Sequence, residues 1–138
     1  MKVKIKRLHQ DAVIPSYAKP GDAGLDLTAI GVSSDHACIT YHTGIAVEIP
    51  RWHVGLLFPR SSVYKTGQML TNCVGVIDSG YRGEIMMKYT LSPYQREYEV
   101  GDRIGQLIIV PYPKIEFEEV DELTDSVRGD TGYGSTGN

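Results

Sequence analysis

Gly75-Val-Ile-Asp-Ser-Gly-Tyr-Arg-Gly-Glu84 is the stretch that decides how this chain reads. An apolar pair, Val76-Ile77, runs straight into Asp78; Ser79-Gly80 and Tyr81 follow, and apolar residues resume at Ile85. Glycine reaches positive φ at no steric cost, so Ser-Gly between apolar flanks predicts a tight β-hairpin turn. Such a turn holds a carboxylate and a phenol ring close together on a rigid support. A ring face can stack on a sugar or base, and a carboxylate can take a proton from water. The stretch therefore predicts a site for a small planar ligand, with chemistry beside it, on a β scaffold.

The flanks extend that scaffold. Val3 and Ile5 alternate with Lys2, Lys4 and Lys6, which predicts a half-buried strand with lysines on the solvent side. Ile45, Val47 and Ile49 alternate up to Pro50. Ile85, Met87, Tyr89 and Leu91 form a third set, and Ile115 with Phe117 a fourth. Val54 to Phe58 and Leu107 to Val110 are nearly continuous apolar runs, the pattern of strands covered on both faces. Lys19-Pro-Gly-Asp22, Glu99-Val-Gly-Asp102 and Tyr112-Pro113 punctuate them as turns. Ser61 to Gln68 alone has room for a short helix, with its two serines as the cap. Many short strands between regular turn signals predict an all-β sandwich or barrel.

A chain of 138 residues is one domain with room for a real core. Tyr outnumbers Phe and Trp, nine against two and one, which suits half-buried sheet positions and contact surfaces. A net charge of −3 gives no footprint for non-specific nucleic-acid binding, so an anionic ligand needs local positive partners. His9, His36, His42 and His53 are scattered, which argues against a protein-only zinc site. Cys38 and Cys73 predict two unpaired, buried thiols in a reducing compartment. With no signal segment and no apolar run long enough for a bilayer, the expected location is the cytoplasm or another cell interior.

The last stretch, Arg128-Gly-Asp-Thr-Gly-Tyr-Gly-Ser-Thr-Gly-Asn138, has almost nothing to bury and alone predicts a frayed tail. It also holds what a flexible lid over a phosphate-bearing ligand needs. Glycine N–H groups can wrap an anion, an arginine matches phosphate oxygens, and a ring can cover a base. The expected division is a core over residues 1–122 and a glycine-rich arm over residues 123–138.

Five segments now stand together: Ala23-Gly-Leu-Asp-Leu27, Pro59-Arg-Ser-Ser62, Asn72 through Glu84, Gly101-Asp-Arg-Ile-Gly-Gln106, and the Arg128 tail. In this order and at these separations, over nearly the whole chain, they resemble the five motifs of the trimeric deoxyuridine triphosphatase (dUTPase) family. The resemblance implies a distorted jelly-roll protomer of the β-clip type and a homotrimer, with interface active sites each built from all three chains. It implies Mg²⁺-assisted hydrolysis of dUTP to dUMP and pyrophosphate, which limits uracil in DNA and supplies dUMP for thymidylate synthesis. Net charge and the lack of a long apolar run predict neither stable nucleic-acid binding nor membrane contact.

Residue by residue, the resemblance makes Asp78 the catalytic aspartate, which orients and deprotonates the water attacking the α-phosphorus in line. Asp26 would hold Mg²⁺ through bound waters, the ion resting mainly on substrate phosphates. Arg60, Ser61, Ser62 and Gln106 match phosphate-contacting positions. Asn72 matches the amide that reads the uracil edge, with the backbone from Gly75 onward completing the pocket. Tyr81 would pack under the deoxyribose and exclude a 2′-hydroxyl. Arg128 would meet the γ-phosphate, Tyr133 would stack on uracil, and Gly134-Ser135-Thr136 would wrap the terminal phosphates. Ser62 and Thr131 stand where the family usually has glycine, and Tyr133 where it has phenylalanine. Asp102 and Arg103 read as a turn pair outside the site, and Arg82 and Glu84 as supports. The related dCTP deaminases carry a catalytic glutamate where this chain has Lys88, which argues against deamination. A nucleotide-holding, non-enzymatic trimer would be expected to lose Asp78 or the arm, and both are present.

Overall fold

The computed structural model describes residues 1–35, 37–90 and 96–130. Its strands are β1 (Lys4–Arg7), β2 (Leu25–Thr28), β3 (Gly31–Asp35), β4 (Cys38–His42), β5 (Ile45–Glu48), β6 (His53–Phe58), β7 (Gly75–Ile77), β8 (Met86–Thr90) and β9 (Arg103–Pro111). They pair antiparallel into three sheets, ordered β1-β5, β2-β9-β6-β7 and β3-β4-β8. The fold is a nearly all-β distorted jelly roll.

Alternation in the sequence decides which faces meet. Ile39 and Tyr41 on β4, Ile45 and Val47 on β5, and Met87 and Tyr89 on β8 are all buried, as is Ile85 just before β8. They share one core with Leu27, Leu57, Ile104 and Leu107 of the four-stranded sheet. At its centre Tyr41, Tyr89 and Tyr98 pack edge to face, with ring centroids 5.6 to 5.9 Å apart. The Tyr89 hydroxyl donates to the Ile104 carbonyl at 2.6 Å and so fastens β8 to β9. Burial pushes the Tyr41 and Tyr89 phenols above their ordinary pKa.

Several expectations change. The Gly75–Glu84 stretch is not a hairpin: β7 pairs with β6, whereas β8 pairs with β4, so the chain crosses between sheets there. The Tyr81 N–H donates to the Asp78 carbonyl at 3.0 Å, closing a four-residue turn. Neither Gly80 nor Gly83 takes a positive φ. Alternation reveals which face a strand buries, not which strand it pairs with. The expected helix is a 3₁₀ segment over Ser61–Lys65 only, opening at Arg60 with no side-chain cap. Gly67, at φ +70°, turns the chain away just beyond it. Ile115 and Phe117 form no strand: the last one among the described residues ends at Pro111, and these two are 67% and 97% exposed. Their alternation has no neighbouring strand to pair with.

Ile5 is likewise exposed, along with all of β1. In β6 only Gly55 and Leu57 are buried and the rest are half-buried, and in β9 residues 108–110 are half-buried; in one chain these runs are not covered on both faces. Cys38 and Cys73 are unpaired, but Cys38 is half-buried and Cys73 exposed. Leu91 lies outside the described residues. Among the described residues no helix is long and apolar enough to cross a membrane.

Candidate active site in two halves

Three adjacent strands build the first half. Asp26 on β2 stands opposite Gln106 on β9, and Gln106 stands opposite Phe58 on β6. Chain leaving β6 at Phe58 passes through Pro59 to Arg60 and Ser61, so all three strands deliver polar side chains to one place. The result is a cleft of about 330 Å³ lined by Ala23, Gly24, Asp26, Arg60, Ser61 and Gln106.

Charge in this cleft is already organised. The Asp26 side chain is only 16% exposed and lies between two guanidinium groups. Arg103 Nη1 donates to its Oδ2 at 2.9 Å, and Arg60 Nε lies 3.3 Å from its Oδ1. Two cations on one carboxylate satisfy Asp26 from both sides; Asp22 is a second carboxylate on the cleft wall. Gln106 Nε2 donates to the Pro59 carbonyl at 3.1 Å. A Cβ on Gly24 would overlap Gln106 Oε1, so the amide sits where only glycine leaves room.

Arg103 is the residue that sequence reasoning left out. Leu27 pairs with Gly105 but Thr28 pairs with Arg103, so β9 carries one extra residue here, a β-bulge. Ile104 and Gly105 are consecutive and both buried, and a Cβ on Gly105 would strike Met87 Sδ. Two successive residues thus face the core, and Arg103 turns to the side of Asp26. Regular alternation would have aimed it inward with Gly105. The available signal was Gly105 itself, a glycine inside an apolar strand. Asp102 does keep to the turn, accepting the Glu99 N–H at 2.9 Å.

The second half is the turn after β7. Asp78 is exposed. Arg82 Nη1 donates to the Ser79 carbonyl at 2.7 Å and to the Tyr81 carbonyl at 2.8 Å, bracing the turn. The Tyr81 hydroxyl donates to the Glu84 carbonyl at 3.0 Å, and the ring lies where a Cβ on Gly83 would be. Glu84 accepts the Gly44 N–H at 2.8 Å and meets His42 Nδ1 at 3.2 Å, while His42 Nε2 meets Ser33 Oγ at 2.9 Å. Arg82 and Glu84 therefore brace the turn from either side. Asn72 is exposed in the preceding turn, where Cys73 takes φ +58°. Gly75 is buried against Leu57, and a Cβ there would meet that side chain at 2.9 Å.

One chain does not join the halves. β2 and β7 are opposite edges of the four-stranded sheet, three strand spacings or about 14 Å apart. The row of Asp26 meets β6 at Phe58, whereas Ile77, just before Asp78, meets it at Gly55. That adds about 10 Å along the strands. Of the expected site residues, Asp26, Arg60, Ser61 and Gln106 share the cleft. Asn72, Gly75, Asp78 and Tyr81 stand apart from it, on the β7 segment. Ser62 lines a neighbouring cleft with Lys65, Arg96 and Tyr98. Arg128 is exposed, and Thr131, Tyr133, Gly134, Ser135 and Thr136 lie outside the described residues. Among the described residues no three His, Cys, Asp or Glu side chains converge to hold a metal.

The dUTPase family model matches residues 10–137. A deoxyuridine 5′-triphosphate nucleotidohydrolase of Corynebacterium glutamicum is 43% identical over 98% of this chain and 94% of its own length. The enzyme of that name from Escherichia phage T5 is 39% identical over 98% of each chain. Among solved structures, the dUTPase of Staphylococcus bacteriophage 80alpha with dUPNHPP superposes with a TM-score of 0.85, at 28% identity over 99% of both chains. A point mutant of the phage phi11 dUTPase of S. aureus, described with a structural Mg(II) ion, gives a TM-score of 0.75 at 27% identity, over 91% of this chain and 100% of that one.

Proposed function

This chain belongs to the dUTPase family, and from that premise we propose how its own residues hydrolyse dUTP to dUMP and pyrophosphate. The observation that carries the reading is the separation of two chemically complementary halves within one protomer: a cleft at Asp26 that presents Arg60, Ser61 and Gln106, and a carboxylate-bearing turn at Asp78. A homotrimer with its sites at subunit interfaces would bring the cleft of one chain to the turn of another. The uncovered apolar residues Ile115, Phe117, Leu123 and Val127 support such an assembly, because a neighbouring chain would bury them.

In the cleft, the terminal nitrogens of Arg60, the Ser61 hydroxyl and the Gln106 amide bind the triphosphate, with Ser62 extending the contact. Asp78 of a neighbouring subunit orients a water and takes its proton as the oxygen bonds to the α-phosphorus. The bond from that phosphorus to the bridging oxygen breaks, and pyrophosphate leaves with the electron pair. Positioning and charge neutralisation dominate such a reaction. Asn72 and the backbone from Gly75 read the uracil edge, since an amide offers both a donor and an acceptor. Tyr81 packs beneath the deoxyribose. Arg128, Tyr133, Gly134 and Ser135, on an arm over residues 123–138, close over the ligand and exclude water.

The donor set fits Mg²⁺ carried on substrate phosphates and not a protein cage. Both Asp26 oxygens already face arginines, which suits contact through water more than direct ligation. When bound, the ion neutralises phosphate charge and makes the pyrophosphate a better leaving group. Two unpaired thiols suit a reducing cell interior as the place of action.

The test is pyrophosphate release with Mg²⁺ from dUTP, dTTP, dCTP and UTP. Turnover confined to dUTP and abolished by EDTA is expected. Comparable rates on all four, or ammonia from dCTP, would overturn the reading.

A further inference from the structure

We infer that Arg103 is a positioning residue for triphosphate binding: held on the ligand side by the β9 bulge, it anchors the Asp26 carboxylate, which in turn aims Arg60. The inference rests on the function proposed above.

Three observations support it. First, the contacts divide the labour. Arg103 makes the shorter contact with Asp26, at 2.9 Å, while Arg60 approaches through Nε, at 3.3 Å. An Nε contact leaves the terminal nitrogens of Arg60 to form the planar fork that suits phosphate oxygens. Second, the balance of charge requires a second cation. With Arg60 as its sole partner, Asp26 would cancel that guanidinium and repel an incoming polyanion. With Arg103 present, Asp26 is neutralised from the other side, which matters the more because Asp22 also lines the cleft and Arg60 is its one cation among the described residues. Third, the backbone departs from regularity to achieve this. Without the extra residue at Ile104, Arg103 would face the core.

Fold stability alone does not account for the pair. The Arg103 side chain is 50% exposed, and an ion pair half open to water contributes little to folding. The burial that matters belongs to Asp26, 16% exposed at the floor of the cleft.

The test compares wild type, R103Q and R103K as full-length protein. Calorimetry measures the affinity of a non-hydrolysable imido analogue of dUTP and of dUMP, with and without Mg²⁺. R103Q should weaken analogue binding about tenfold, the loss of roughly one charge-assisted contact, and dUMP binding by less than about twofold. The KM for dUTP should rise in step while kcat changes less. R103K, keeping the charge without the fork, should recover part of the loss. Analogue affinity unchanged in both variants, or analogue and dUMP affinities falling together, would overturn the inference. Should R103Q melt early, R103K decides alone: wild-type analogue affinity there would overturn it. A wild-type protein that fails to bind the analogue would overturn the proposed function, and this inference with it.

Discussion

The cleft at Asp26 and the turn at Asp78 carry the same kind of side chain in opposite circumstances. Asp26 is enclosed, with one arginine on each carboxylate oxygen, on one edge strand of the four-stranded sheet. Asp78 is exposed just past the opposite edge strand, on a turn braced from behind by Arg82 and Glu84. A carboxylate tied to two cations is placed to organise charge. One that stands exposed on a rigid turn is suited to meet water. The proposed mechanism gives electrostatics to one region and proton transfer to the other, and leaves their union to a neighbouring chain.

The comparison breaks most sharply at Asp78. Replacing it with asparagine should lower turnover about 10²–10⁴-fold, the usual worth of general-base help. The melting temperature should hold, because the side chain is exposed. Near-normal pyrophosphate release from the folded variant would remove Asp78 from the chemistry. Next comes a mixture of two inactive proteins, Asp26→Ala and Asp78→Asn, unfolded and reassembled together. If each site takes its cleft from one chain and its turn from another, random trimers should recover about a quarter of wild-type activity. Sites made within one chain would recover none. A smaller effect is expected at Gly24. Alanine there would push the Gln106 amide aside, a shift the flexible end of that side chain absorbs at little cost to folding. The KM should rise about tenfold through lost phosphate positioning. Unchanged kinetics in Gly24→Ala would show that Gln106 does not need its observed place.

The sequence made much of this legible and hid the rest for definite reasons. Alternation at Ile45, Val47 and Ile49 and at Ile85, Met87 and Tyr89 marked core faces correctly, because burial is a local property of a pleated strand. Pairing is not local. Val76-Ile77 and Met86-Met87 look like two arms of a hairpin, yet each finds its partner elsewhere in the chain. Ile115 and Phe117 show the reverse case, an alternating pattern with no strand beside it in its own protomer. Asp26, Arg60, Ser61 and Gln106 could be picked out from motif order, and the fold brings all four together. Arg103 could not, because its direction depends on one inserted residue in β9 that spacing alone does not disclose.

Tyr81 has a consequence of its own. Its hydroxyl is tied to the Glu84 carbonyl and its ring rests against Gly83, so both side-chain torsions are set when the protein folds. Rotamer freedom lost on folding is not lost a second time on association, and a side chain immobilised by a ligand typically forfeits about 0.5–1.5 kcal/mol. If a sugar settles on this ring as proposed, it meets a surface whose entropic debt has already been discharged.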